Sequence, residues 1–297
     1  MLSLRGLGKP QYLLRPSQIV RRLLRELRRN PREDTVRLPW GIELMLDPAD
    51  TVSAALLGQG IYDLVTTEVL WRLTARGERT ADIGANVGYM TSVLAARAGT
   101  NGSVISFEPH PNTFAILQRN AERWNAGASC APVSAIHGAV SDRDGTAAFV
   151  AQPNGDANAS HAFLAEDANP SAVEVRVWKF ASFLGAGQMF GVVKVDTQGH
   201  ERRVFAGMGE GLSAGRIRDI VYEEEAGYPA PSHAALENAG YAILAFAERL
   251  SGPRIISPSQ LSAPKRSYEV LPSYLATRDV PRAKELLARP GWQCLHG

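Results

Sequence analysis

Three clusters of residues in this chain have types and spacings that could do chemistry. The first is Asp82-Ile83-Gly84-Ala85-Asn86-Val87-Gly88, placed where a short strand gives way to a helix. Gly84 and Gly88 let the backbone turn tightly and approach a ligand, and Asn86 tolerates left-handed geometry. The spacing is G-x-N-x-G, and Asn86 and Tyr89 stand where a dinucleotide-binding turn has its second and third glycines, which counts against NAD. Asp82 suits a cationic or hydroxyl group better than a phosphate. The second cluster is Glu108, 24 positions after Gly84, at the end of the next strand. A carboxylate there accepts from two vicinal hydroxyls, as ribose presents them. The third is Lys194-Val195-Asp196-Thr197-Gln198-Gly199-His200-Glu201, which follows a continuous apolar strand. Asp196 and His200 are the candidates to take a proton, and Lys194, two residues before Asp196, points the same way along a strand.

A fourth group, Glu223, Glu224 and Glu225, ends the strand Asp219–Tyr222. With Asp196, Glu223 and Glu224 are the candidate ligands for a divalent ion such as magnesium, which would lower the pKa of a substrate hydroxyl. A charge run at a strand end is more often solvated. The remaining histidines have no ligand-like spacing, and Cys130 and Cys294 have no metal- or disulfide-type partner nearby, so a reducing, cytoplasmic setting is expected.

The elements that must position these groups alternate. Strands are expected at 80–83, 103–107, 133–140, 191–195, 219–222, from 241 and at 268–272. Helices are expected at 63–76, 87–97, 112–124, from 201 and at 232–238, after a short hairpin over 35–47. This is α/β patterning, with a mostly parallel sheet covered on both faces. Residues 141–190 interrupt it with two alternating strands around the polar loop 153–170, read as a substrate-facing lid that includes His161.

Composition agrees with a folded α/β chain: 297 residues, 45% hydrophobic and 21% charged, with no apolar run long enough to span a membrane. The net charge of +2 is unevenly spread. Residues 1–32 hold nine Lys or Arg against Glu26 alone, so this segment carries +8 and the other 265 residues −6. Ile19, Val20, Leu23, Leu24 and Leu27 fall at helical spacing among the arginines. Such a basic amphipathic helix (residues 1–34) is expected to pack on its own domain or on a second copy as a homodimer; the alternatives are that it lies on an anionic membrane surface or binds nucleic acid. The domain proper is expected over 35–297.

DIGANVGYMT, FEPHPNTFAILQRNAERWN and VVKVDTQGHERRVFAGM together resemble the three signature blocks of the FkbM family of class I methyltransferases, over about residues 60–225. The resemblance implies a Rossmann-like fold with a mostly parallel seven-stranded sheet, helices on both faces and a β-hairpin insertion. It implies S-adenosylmethionine as cofactor and methyl transfer to hydroxyl oxygens of sugars, glycosides or polyketide-type metabolites. By position, it places Asp82, Gly84, Ala85, Asn86 and Gly88 around the methionine moiety and Glu108 at the ribose. Pro109 and Asn112 fall on the ribose and adenine side with Phe114 behind them, and Ala139, Val140 and Ser141 border the adenine. The family's third block reads K-[IV]-D-x-[EQ]-G-x-E, which Lys194, Asp196, Gln198, Gly199 and Glu201 match, while His200 fills a variable slot. N-methylation of an amine-bearing small molecule is the rival chemistry, although no Asn/Asp-Pro-Pro-Tyr motif of the base methyltransferases is present. A binding protein acting through its basic N-terminus, without catalysis, is the other. No nucleic-acid partner is expected.

Overall fold

The structure is a computed structural model that describes residues 35–47, 51–150, 163–165, 172–185, 187–261 and 273–296. The basic segment 1–34 and nearly all of the loop 153–170 lie outside the described residues. In chain order the elements are β1 (Thr35–Arg37), β2 (Glu43–Met45), α1 (Thr51–Gln59), α2 (Leu64–Leu73), β3 (Arg79–Ile83), α3 (Tyr89–Ala98), β4 (Ser103–Glu108), α4 (Pro111–Gly127) and β5 (Val133–His137). Then come β6 (Ala139–Val140), β7 (Gly145–Val150), β8 (Phe163–Ala165), β9 (Ala172–Trp178), β10 (Phe190–Val195), α5 (Glu201–Met208), α6 (Glu210–Ser213) and β11 (Ile217–Glu223). The chain closes with α7 (Pro231–Asn238), β12 (Ala242–Arg249), β13 (Gly252–Ile256), β14 (Ser273–Thr277) and α8 (Val280–Leu287).

The main sheet runs β13-β12-β14-β11-β10-β3-β4-β5. β5, β4, β3, β10 and β11 pair in parallel, and β14 is antiparallel to both β11 and β12. This is the expected Rossmann-like α/β fold, with eight strands rather than seven. The extra strand arises because the chain reverses after Arg249 and β13 zips antiparallel onto β12, covering that edge. The strand expected at 268–272 lies outside the described residues, and the strand that fills that place is β14.

Alternation along each strand sorts side chains onto two faces. Ala81, Ile83, Phe107, Val193, Val195, Ile220 and Tyr222 share one face with Val204 and Phe205 of α5 and Leu236 of α7. Val104, Val192, Val221 and Leu275 share the other with α2, α3 and α8. Toward the carboxyl ends this second face turns polar, and it is there that Asp82 and Lys194 fall opposite each other in register.

The single strand expected over 133–140 is broken in two at Gly138, whose φ of 150° few side chains could adopt. A Cβ there would also sit 2.6 Å from the Arg176 carbonyl oxygen. After the break the chain leaves the main sheet, and β6 joins β9. The expected hairpin insertion is thus part of a four-stranded sheet, β6-β9-β7-β8. On the opposite side Asn120 of α4 ties the β1–β2 hairpin to the turn after β3. It donates to the Met45 and Val87 carbonyls (3.0 and 2.9 Å) and accepts from the Met45 N–H (2.7 Å).

α2 is anchored from the C-terminus. The buried Glu68 carboxylate accepts from Arg72 (2.6 Å), which lies one turn on, and from the Gln293 and Cys294 N–H groups (2.8 Å each). Arg72 in turn donates to the Leu287 carbonyl (3.2 Å). Removing one member of a buried pair leaves an uncompensated charge, worth roughly 3–5 kcal/mol. Glu68→Ala should therefore lower the urea unfolding free energy by about 3 kcal/mol or more. A loss below about 1 kcal/mol, the scale of an exposed pair, would show that the clamp does not hold the C-terminus.

Candidate active site

The carboxyl ends of β4, β3, β10 and β11 open onto one cleft. Among the residues lining it are Gly84, Ala85, Asn86, Glu108, Pro109, Ala139, Val140, Lys194, Asp196, His200 and Glu223. Three regions of sequence separated by tens of residues thus meet where a parallel α/β sheet takes ligand.

Its floor is an ion cluster. Lys194 is buried; its Nζ donates to the Gly84 carbonyl (3.1 Å) and to Asp196 Oδ2 (3.2 Å) and lies 3.6 Å from Asp82 Oδ1. Burial alone would lower its pKa, but Asp196, Asp82 and Glu223 outweigh that and hold the ammonium charged. Asp82 is fully buried and does not reach the cleft: its Oδ2 accepts from Thr91 (2.6 Å), whose hydroxyl also meets Ser106 (3.0 Å). Burial pushes the Asp82 carboxyl up, and Lys194 and Thr91 oppose it. Asp82 therefore serves the site through Lys194. Gly84 is required where it stands, with φ 78° and a would-be Cβ only 1.9 Å from the Asp196 carbonyl oxygen.

Asp196 keeps part of its side chain exposed to the cleft. Gln198 donates to its Oδ1 (2.8 Å) and Lys194 to its Oδ2, which fixes the carboxylate plane. The turn that carries Gln198 (φ 53°) and Gly199 (φ 91°) is held by the buried Glu201, which accepts from the Thr197 N–H (2.9 Å) and hydroxyl (3.0 Å). His200 Nε2 meets Ser141 Oγ at 3.0 Å.

The first glycine turn has its amides engaged. Gly84 and Ala85 N–H donate to the Phe107 carbonyl, Asn86 N–H to Glu108 Oε2 (2.8 Å), Val87 N–H to Asn86 Oδ1, and Gly88 N–H to the Ala85 carbonyl. A pyrophosphate needs such amides pointing outward, so this turn is no dinucleotide cradle. Glu108, whose other oxygen accepts from His110 N–H (2.8 Å), presents the remaining lone pairs to the cleft.

Some expected residues fall outside the lining. Gly88 is small because a Cβ would meet Leu117 and Trp124 at 2.9 and 3.1 Å, so it packs against α4. Asn112 is exposed on α4, and Ser141 is buried behind His200. Glu224 turns away, accepting from Ser232 and from the Ala226 N–H (3.0 Å). No three acidic, histidine or cysteine side chains come together as metal ligands among the described residues. Of the candidate magnesium ligands Asp196, Glu223 and Glu224, the first two line the cleft and the third does not: β11 ends at Glu223, and the next carboxylate serves the following loop. Tyr62, Thr66, Phe149 and Ser273 line the cleft without having been read as site residues. Each is a lone polar or aromatic residue in an ordinary pattern, and only tertiary packing brings it there.

Residues 82–243, more than half of the chain, match the Methyltransferase FkbM domain. The chain belongs to the FkbM methyltransferase family. It is 25% identical over 184 residues to the hexuronic acid methyltransferase AglP of Haloferax volcanii, covering 56% of this chain and 70% of that one. Among solved structures it is similar to the FkbM methyltransferase of Methylobacillus flagellatus (12% identity, TM-score 0.43, 77% of this chain and 53% of that one). It is also similar to an O-methyltransferase of Thermotoga maritima (11% identity, TM-score 0.37, 73% and 66%). The methyltransferase has no helix, among its described residues, long and apolar enough to cross a membrane.

Burial raises the Glu108 carboxyl from an ordinary 4.5 to about 7. A group with a raised native pKa gives stability that is full below its unfolded pKa and lost as the pH rises through the native value. Glu108→Gln should remove that loss, worth about 3 kcal/mol by the size of the shift. Urea melts at pH 4.5 and pH 8 are expected to show a smaller fall in stability in the variant than in the wild type. An equal fall in both would contradict the assignment.

Proposed function

We propose that this methyltransferase uses S-adenosylmethionine to methylate a hydroxyl oxygen of a sugar-type acceptor. The observation that carries the reading is the placement of two cleft-lining carboxylates, Glu108 on β4 and Asp196 after β10, on either side of the turn that ends β3. The donor set suits this cofactor: a carboxylate for ribose hydroxyls, small residues at Gly84 and Ala85, and no outward amides for a phosphate. When bound, S-adenosylmethionine supplies a methyl group activated by a sulfonium leaving group.

The chain's own residues supply alignment and a proton acceptor. Glu108 would take the ribose hydroxyls, with Gly84, Ala85 and Asn86 beside the methionine moiety. Pro109, Ala139 and Val140 would form the opposite wall. Asp196 would accept the hydrogen bond of the acceptor hydroxyl and take its proton as the oxygen–carbon bond forms. Lys194 and Gln198 hold that carboxylate in one orientation, so little reorganisation is needed when the hydroxyl arrives. His200, tied to Ser141, stands on the same turn and shapes the wall. The sugar class draws support from the hexuronic acid methyltransferase relative.

Asp196→Asn keeps the shape and removes the proton acceptor. It should reduce turnover by about a hundredfold or more, the usual scale of general-base catalysis. S-adenosylhomocysteine affinity, measured by calorimetry, should stay within about threefold, because an interaction made only at the acceptor affects turnover and not cofactor binding. An equal loss in both would remove Asp196 as the base.

A further inference from the structure

The loop that leaves the cleft after β11 is held by the helix that follows it. Tyr222 and Glu223 line the cleft, and residues 224–230 then lead to α7. Glu224 accepts from Ser232 and from the Ala226 N–H (3.0 Å), and the Tyr228 hydroxyl donates to Glu237 (3.0 Å). A further tie is of another kind: the Ala230 N–H donates to His233 Nδ1 (3.1 Å). Ala230 stands just before the first turn of α7, and His233 is the third residue within it. A capping box has Glu or Gln at that position, reaching back to the N–H at the helix start. Here an imidazole takes that part, and it accepts only while Nδ1 carries no proton.

The His233 side chain is closed off from solvent by aromatic rings. Its ring lies 4.6 Å from Tyr274 of β14, 4.9 Å from Tyr228 of the loop and 5.6 Å from Tyr222 of β11. Nε2, which carries the proton of this neutral tautomer, has no acceptor among the described residues. The charged groups facing the ring are Glu224, just past β11, and Glu237, one turn on along α7. Burial outweighs both carboxylates and lowers the imidazole pKa. A second proton would also stand in the first turn of α7, where the helix dipole opposes positive charge. It would turn Nδ1 from an acceptor into a donor aimed at the Ala230 N–H. We infer that His233 is a pH-sensitive latch: neutral, it holds the 224–230 loop on α7, and protonated, it releases that loop, so that the cleft-lining end of β11 loses its brace. The latch does not depend on which cofactor or acceptor enters the cleft. A group with a lowered native pKa gives stability that is present above its unfolded value, here about 6.5, and lost as the pH falls through the native one.

The test is hydrogen exchange of the Ala230 amide in the full chain, corrected for the intrinsic rate, at about pH 7.5 and about pH 5. With an ordinary imidazole in the open loop, opening should become at least about fivefold and up to about thirtyfold more frequent at the lower pH. His233→Gln keeps an acceptor at the third helical position without the titration, so its Ala230 protection should stay within about twofold between the two conditions. His233→Ala should leave the amide weakly protected at both. Nitrogen-15 spectra of the histidine rings give a readout that needs no variant: at the higher pH His233 should be neutral with its proton on Nε2. Wild-type protection that does not fall at the lower pH, a fall of the same size in His233→Gln, or a His233 ring that carries a proton on Nδ1 at the higher pH would each overturn the latch. All three outcomes are read without S-adenosylhomocysteine or an acceptor, so they leave the cofactor reading where it stands.

Discussion

One buried ammonium holds the site together. Lys194 reaches across from β10 to Asp82 on β3, to the carbonyl of Gly84 at the start of the glycine turn, and to Asp196 just beyond its own strand. A lysine this deep is costly to bury unless its charge is matched, and here the carboxylates around it more than match it. The consequence is geometric. The ends of two neighbouring strands and the turn between them are locked to one point, so the carboxylate that faces the cleft has no freedom to wander. The contact of Gly84 with the Asp196 backbone is the steric counterpart of the same constraint, since any side chain at 84 would force the two strand ends apart.

Around that point the sheet divides the labour. One face is apolar throughout and is sealed by α5 and α7, while the other grades from Val104, Val192 and Val221 into Asp82, Lys194, Glu108 and Glu223 at its carboxyl edge. The insertion is placed by a break at Gly138, which turns the chain out of the main sheet. Gly138, Ala139 and Val140 thereby become a wall of the cleft, and Phe149 of β7 joins them. The cleft also draws on Tyr62 before α2 and on Ser273 in β14, which only tertiary packing brings to it.

That contrast explains what was legible in the sequence. Strand ends marked by Asp-x-Gly, Glu-Pro and Lys-x-Asp carry their meaning locally, because a parallel sheet places consecutive carboxyl ends side by side. The fold class and the cleft-lining positions Gly84, Asn86, Glu108, Lys194 and Asp196 could therefore be read directly. Gly88 and Asp82 looked like ligand contacts but answer to packing against α4 and to the ion cluster, which local spacing does not reveal. Glu224 was indistinguishable from Glu223 in a run of three acids until the end of β11 separated them. α8 is amphipathic, with Ala283 and Leu287 buried, but the places of β13 and α8 depend on the β12 edge and the Glu68 anchor, which local spacing does not reveal.

The chemistry of the site depends on what occupies the cleft between Glu108 and Asp196. The most direct measurement is a crystal structure of the chain with S-adenosylhomocysteine bound. The predicted result has both ribose hydroxyls on the Glu108 carboxylate, the amino-acid part along Gly84 to Asn86, and the sulfur directed toward Asp196. A ligand bound elsewhere, or bound in the cleft with Glu108 out of hydrogen-bonding reach, would contradict it.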